Sequence, residues 1–246
     1  MVFYSTVTEQ FTYFSQQLGE TEWGGKSVLD FGGNIGNILR DPNSTIDEER
    51  YWCLDVAKAS IQSGKRLYPR ARWLLYNRYS FFFNPYGVSD LPLPRMEQTF
   101  DYIVAFSVFT NTTKSDMIKL VSQLEGVLSE GGTLAFTFID PNHLSCQDYF
   151  PGNNFQWRLD LEVERGNLSA NEIPVFIERT KDASWFILVN GNDLYVERED
   201  IQPYAPALQK SCYAFHTESY MRKLFPHAII LPPANDEMQH CCVIRK

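Results

Sequence analysis

Residues 28–39 of this 246-residue chain pass from a short apolar run into a glycine cluster, with Gly32, Gly33 and Gly36 following Asp30 at close spacing. Glycine accepts positive φ and lets a ligand approach the main chain, so the cluster reads as a tight strand-to-helix turn with a helix N-terminus facing a ligand. Turns of this kind serve dinucleotides, nucleoside phosphates and other nucleoside cofactors. A dinucleotide turn wants G-x-G-x-x-G, and in register with Gly32 the chain carries Asn34 and Asn37 at the other two places. A phosphate-binding P-loop needs a closing Gly-Lys-Ser/Thr, which the stretch lacks. A second acidic residue, Asp55, ends the apolar run 51–55, 25 positions after Asp30. By local chemistry alone it serves either a helix cap or a ligand. Three further groups with chemistry, Asn111, Asp140 and His143, fall just beyond expected strand ends. His143 is either a general base or ordinary surface.

These groups need elements to position them. Phe11, Phe14 and Leu18 recur at helical spacing and predict a leading helix over 9–18. Apolar runs at 27–31, 51–55, 72–76, 100–106 and 133–139 read as buried strands, with helices over 57–67 and 114–128, the second closed by Gly131 and Gly132. Strand and helix alternation with strands apolar on both faces predicts an α/β fold, an open parallel sheet with right-handed crossovers. Pro42 follows Gly36 so closely that the helix after the glycine turn is short or interrupted, leading into a polar loop over 41–50. Between about 141 and 210 the alternation stops. Residues 185–189 and 194–196 flank the turn formers Asn190, Gly191, Asn192 and Asp193 and predict a β-hairpin, with strands over 157–163 and 173–177 beside it. A helix near 217–225 follows, then apolar runs 228–231 and 241–244 that pair antiparallel.

The order Val28, Leu29, Asp30, Phe31, Gly32, Gly33, Asn34, Ile35, Gly36 resembles the first motif of the class I S-adenosylmethionine-dependent methyltransferases. Asn34 replaces the motif's middle glycine, and asparagine is among the residues best able to take left-handed φ. The resemblance extends over about 26–140, through Asp55 at the second strand, Asn77 and Arg78 after the third, and the fourth strand followed by a helix and Gly131-Gly132. It implies a Rossmann-like, mainly parallel seven-stranded sheet with an antiparallel last strand, plus an antiparallel β insertion. It implies S-adenosylmethionine as cofactor and S-adenosylhomocysteine as product. Asp30 would orient the methionine ammonium, Gly32, Gly33, Asn34 and Gly36 would pass beneath the cofactor, and Asp55 would hold the ribose hydroxyls. Val56, Asn77, Arg78 and Phe106 would complete the cofactor site. A side chain at Gly32 is expected to fill the space that the methionine portion needs. The domains expected are an N-terminal helical cap segment over 1–25, a core over 26–140 and 211–246, and a β-rich insertion or lid over 141–210.

Composition narrows the partners. With 30 acidic and 22 basic residues the formal net charge is −8, so no basic field attracts a phosphate backbone and nucleic acid is not an expected partner. No apolar run reaches the roughly 18–20 residues that cross a bilayer, and the first residues lack a signal-peptide pattern; the expected address is cytoplasmic. Five cysteines without a Cys-x-x-Cys pair argue for free thiols.

The acceptor is less constrained, because methyl transfer from a sulfonium is an in-line displacement in which positioning does much of the work. Amide- and adenine-methylating relatives carry Asn/Asp-Pro-Pro-Tyr/Phe after the fourth strand; here Asn84, Pro85 and Tyr86 precede that strand and read as a turn. Magnesium-dependent relatives cluster carboxylates there, and this chain has none before Asp116, so no metal is expected. Asn111, Asp140 and His143 remain as catalytic candidates. The expectation is a methyltransferase acting on a small organic acceptor under the lid. The alternatives are a protein or peptide side-chain methyltransferase and a non-catalytic partner subunit that only binds the cofactor.

Overall fold

Val28–Phe31 (β1) is buried at every position, as a strand flanked by neighbours on both edges and helices on both faces must be. In the computed structural model, which describes residues 9–80, 83–140, 184–188, 194–197, 211–234 and 239–246, β1 pairs in parallel with Tyr51–Asp55 (β2) and Phe100–Ala105 (β4). Arg72–Leu75 (β3) extends the sheet beyond β2, and Leu128–Ile139 (β5) beyond β4. Ile229–Leu231 (β9) and Gln239–Arg245 (β10) complete seven strands in the order β3-β2-β1-β4-β5-β10-β9. Only β10 runs against its neighbours. This is the Rossmann-like architecture expected, including the terminal antiparallel pair.

The two-residue period of a strand divides the core. Leu29 and Phe31 face one cluster, shared with Lys114–Gly126 (α4) and Glu218–Leu224 (α5) through Met117, Val121, Met221 and Phe225. Val28 faces the other, with Tyr51 and Cys53 of β2 and with Gln10–Leu18 (α1), Asn37–Arg40 (α2) and Lys58–Leu67 (α3). Asp30 is on Val28's face, so its carboxylate enters the sheet beneath α1, α2 and α3. Thr113 and Thr217 cap α4 and α5 by accepting the amides of Asp116 and Tyr220. As Pro42 predicts, α2 ends after four residues. Cys53, Cys241 and Cys242 are buried free thiols.

One boundary differs from expectation. Gly131 and Gly132 do not close α4, which ends at Gly126; they lie inside β5. The pairing with β4 jumps from Phe100↔Leu128 to Tyr102↔Thr133, and Gly131 takes φ 73° within this irregularity. A Gly-Gly pair after a helix is a stop signal, but it is equally the chemistry of a bulge, and cross-strand register decides between them.

The hairpin forms, from Ser184–Leu188 (β6) and Leu194–Glu197 (β7). Ser211–His216 (β8), expected to open the return to the core, pairs with the other edge of β6, giving a second sheet ordered β7-β6-β8. The seven-stranded core resumes at α5. β8 lies against β5 and against the 3-10 turn Phe109–Asn111 that follows β4. Residues 157–163 and 173–177 and His143 lie outside the described residues. No helix among the described residues is long and apolar enough to cross a membrane.

Candidate functional site

The chain leaves β1 into the glycine turn with φ 79° at Gly32, 54° at Asn34 and 87° at Gly36. Asn34 thus adopts the left-handed conformation that its replacement of a glycine requires. The Gly32 amide donates to Leu54 O at 2.7 Å, and the Gly36 and Asn37 amides donate to Gly33 O at 2.9 and 3.2 Å. Two positions accept no side chain. A Cβ on Gly32 would come within 2.4 Å of Val108 Cγ2, so the glycine turn and the segment after β4 are in contact. A side chain there collides with the protein before it meets any ligand, which changes the physical reason for the glycine. A Cβ on Gly33 would lie 2.3 Å from Asp30 Oδ2 and 2.8 Å from Tyr51 Oη.

Asp30 is 2% exposed, and its Oδ2 accepts the Tyr51 hydroxyl at 2.7 Å. Burial lifts its carboxyl to about 7, against the lowering effect of the Tyr51 hydrogen bond and with a further upward push from Asp55. Asp55 accepts the Asn34 amide on Oδ2 at 2.8 Å and the Ala57 amide on Oδ1 at 2.7 Å. Burial raises its pKa too, opposed by the backbone donors of Ala57, Asn34 and Val56. A carboxylate oxygen has two lone pairs, so each can still accept a ligand hydroxyl. Asp55 thus joins the turn to the start of α3 and keeps acceptor capacity for a ligand.

The other expected cofactor residues divide. Val56 is partly buried against the core. Phe106 stands edge-on to Tyr13 and Phe14 of α1, with ring centroids 5.4 and 6.1 Å away. Asn77 is exposed and accepts the Asn84 amide at 3.1 Å, within a turn that Asn84 also closes through Ser80 and Gly87. Arg78 is buried, ion-paired to Asp116 and donating to Leu91 O at 2.5 Å. Its guanidinium ties the loop before β4 to α4.

Beyond β4, Ser107 takes φ 56°, rare for a residue with a side chain. Its amide donates to Thr137 Oγ1 at 2.7 Å, and its carbonyl accepts Thr110 Oγ1 at 2.9 Å and Asn111 Nδ2 at 3.1 Å. Thr137 Oγ1 in turn donates to Gln239 Oε1 at 2.5 Å, and the Tyr13 hydroxyl donates to Gln239 O at 3.0 Å. Asn111 is thereby fixed in a polar shelf shared by β4, β5, β10 and α1. Asp140 lies at the end of β5, where its Oδ2 accepts the Glu218 amide at the first turn of α5. Tyr51, Val108, Thr137 and Gln239 were missed from the sequence. Tyrosine and valine beside apolar strands read as core, and no local signal marks their polar or steric partners.

Residues 29–134 match the family model described as a methyltransferase domain. Residues 29–134 thus carry a methyltransferase domain. Its sheet order and glycine turn are those that the resemblance to S-adenosylmethionine-dependent methyltransferases implies. Among solved structures, the glycopeptide N-methyltransferase MtfA with S-adenosylhomocysteine bound is 11% identical, covering 100% of this chain and 92% of its own, with a TM-score of 0.51. A S-adenosylmethionine-dependent methyltransferase from Leishmania major is 12% identical, covering 98% of this chain and 73% of its own, with a TM-score of 0.52. No curated protein matches the chain by sequence. At these identities the likeness is one of fold. The residues present fit S-adenosylmethionine: a buried carboxylate under the turn, a second at the end of β2, and a buried Asn37 Oδ1 at the start of α2 that has no partner among the described residues.

Proposed function

We propose that this methyltransferase transfers the methyl group to a small organic acceptor held against the C-terminal ends of β4 and β5. The observation that carries this reading is the contact between Gly32 and Val108, which sets the polar shelf of Ser107, Thr110 and Asn111 beside the cofactor turn. When bound, S-adenosylmethionine supplies an electrophilic methyl on a sulfonium. Asp30 would take its ammonium and Asp55 its ribose hydroxyls. Asn111, with its amide nitrogen held by Ser107 O and Thr110 Oγ1, would orient the acceptor. Asp140 acts through α5, whose first turn it holds, rather than as a base. The second sheet favours a small acceptor over a folded protein, because β8 packs on β5 and on the turn carrying Asn111 and so narrows that end of the parallel sheet. A cytoplasmic address belongs to the same proposal and follows from the sequence expectation.

The test is a methyl-labelled S-adenosylmethionine assay on a cell extract divided by size. Label should enter the small-molecule fraction, and Asn111→Ala should reduce that incorporation by about 10- to 100-fold if positioning is its role. Label entering only the protein fraction would establish the side-chain alternative.

A further inference from the structure

Tyr51 opens β2 and its ring packs edge-on against Trp73 at 5.8 Å. From sequence it is one more core aromatic, yet its hydroxyl is fully buried and has a carboxylate at 2.7 Å. The sheet register explains the meeting. Val28 pairs with Tyr51 and Asp30 with Cys53, so Tyr51 and Asp30 share a face on adjacent strands at diagonal positions. Both polar atoms then lie directly beneath Gly33, where only a hydrogen-bearing α-carbon fits above them. A buried carboxylate with no cation beside it is costly, and among the described residues the titratable groups facing Asp30, namely Tyr51, Cys53 and Asp55, include no base. Tyr51 is the one side-chain donor among them that bonds Asp30, and burial with the neighbouring Asp30 pushes its own pKa far up, so it stays protonated.

We propose that Tyr51 is a positioning residue for cofactor binding: its hydroxyl holds the Asp30 carboxyl in the ionised, fixed form that a cationic amine requires. The inference rests on Asp30 being the partner of the cofactor's ammonium. Near neutral pH part of the ligand-free population carries a proton on Asp30, since burial places its pKa at about 7. That proton leaves to solvent as the ammonium docks. The bond from Tyr51 lowers the work of removing it.

Two measurements test the proposal on wild type and Tyr51→Phe, which keeps the ring and its packing. In ligand-free protein labelled at the aspartate carboxyl carbons, with Asp30 assigned through Asp30→Asn, the Asp30 midpoint should rise by about one pH unit or more in Tyr51→Phe, as loss of a charged hydrogen bond implies. Titration calorimetry with S-adenosylhomocysteine should then show the variant binding about tenfold more weakly at pH 6.5 and within about twofold at pH 9. The ligand's own amine titration cancels in this ratio. A purely structural tyrosine predicts a ratio that does not change with pH, and that result, or an unmoved midpoint, would overturn the role of Tyr51. Absence of binding by folded wild type at every pH would instead overturn the assignment of the cofactor to Asp30, and the proposal with it. Should Tyr51→Phe not fold, 3-fluorotyrosine at position 51, which keeps the ring and donates a stronger hydrogen bond, should lower the midpoint; a midpoint unchanged there counts against the proposal.

Discussion

The amide of Asn34, at the crest of the glycine turn, donates to Oδ2 of Asp55 at the end of β2 over 2.8 Å, so the carboxylate proposed to hold the ribose is also a brace of the glycine turn.

Replacing Asp55 therefore costs twice. Asp55→Ala removes the acceptor for the Asn34 and Ala57 amides and should lower stability by about 1–2 kcal/mol, the range of a lost cap. It should also weaken S-adenosylhomocysteine binding by roughly 1.5–3 kcal/mol, the worth of a charged hydrogen bond. Urea denaturation and calorimetry on one preparation separate the two losses. Unchanged affinity would remove Asp55 from the ribose.

Gly32 and Val108 make a second pair whose coupling can be measured. Gly32→Ala places a Cβ in the space of Val108 Cγ2 and keeps a φ of 79° that alanine tolerates poorly. The expected loss is about 2–4 kcal/mol from overpacking and left-handed strain together. Adding Val108→Ala should recover the overpacking part and leave about 1–2 kcal/mol. A strictly additive double variant would show that the two segments do not touch.

Arg78 separates a structural role from a cofactor role. Its buried guanidinium pairs with Asp116, whose side chain is 32% exposed, so Arg78→Met should cost about 3 kcal/mol or somewhat less, the lower end for a broken buried pair. Affinity for S-adenosylhomocysteine should stay within about twofold in the folded variant. A drop of tenfold or more would place Arg78 in the cofactor site.

His216 sets an acid limit. Burial, and secondarily the charge of Lys114, depresses its pKa to about 3. The folded value lies below the unfolded one of about 6.5, so the unfolded chain binds the proton first. Stability is thus fully present above about 6.5 and declines as pH falls from there toward 3. Thermal melts between pH 7 and 4 should show this decline, and His216→Gln should flatten it. An equal slope in both proteins would assign the acid lability to other groups.

Much of this molecule was legible because its strands are apolar on both faces and its helices carry one apolar stripe, patterns set within a few residues. β2 came out at its observed bounds, and the hairpin of β6 and β7 within a residue at either end. What stayed hidden depends on register between distant segments. The bulge at Gly131 is visible only once β4 is aligned with β5, and the Tyr51 hydroxyl meets Asp30 only because β2 pairs with β1 two residues out of step with their contact. The partner of Arg78 stayed hidden for the same reason. A basic residue after a strand looks available until Asp116, 38 positions away, is brought against it.

The position of β10 has a kinetic consequence. It follows β9 in sequence but lies between β5 and β9, and residues 240–244 are buried on both faces. During synthesis the edge of β5 therefore stays unpaired, and β9 has no sheet to join, until the segment from Gln239 leaves the ribosome. An open apolar edge is a template for pairing with other chains. The same late strand offers the carbonyl of Gln239 to the Tyr13 hydroxyl of α1, so the helix beside the glycine turn, which Thr12 also ties to Asp41, gains this anchor only when that strand is in place. A chain that stops before residue 239 would thus be a sticky, half-closed intermediate rather than a working enzyme.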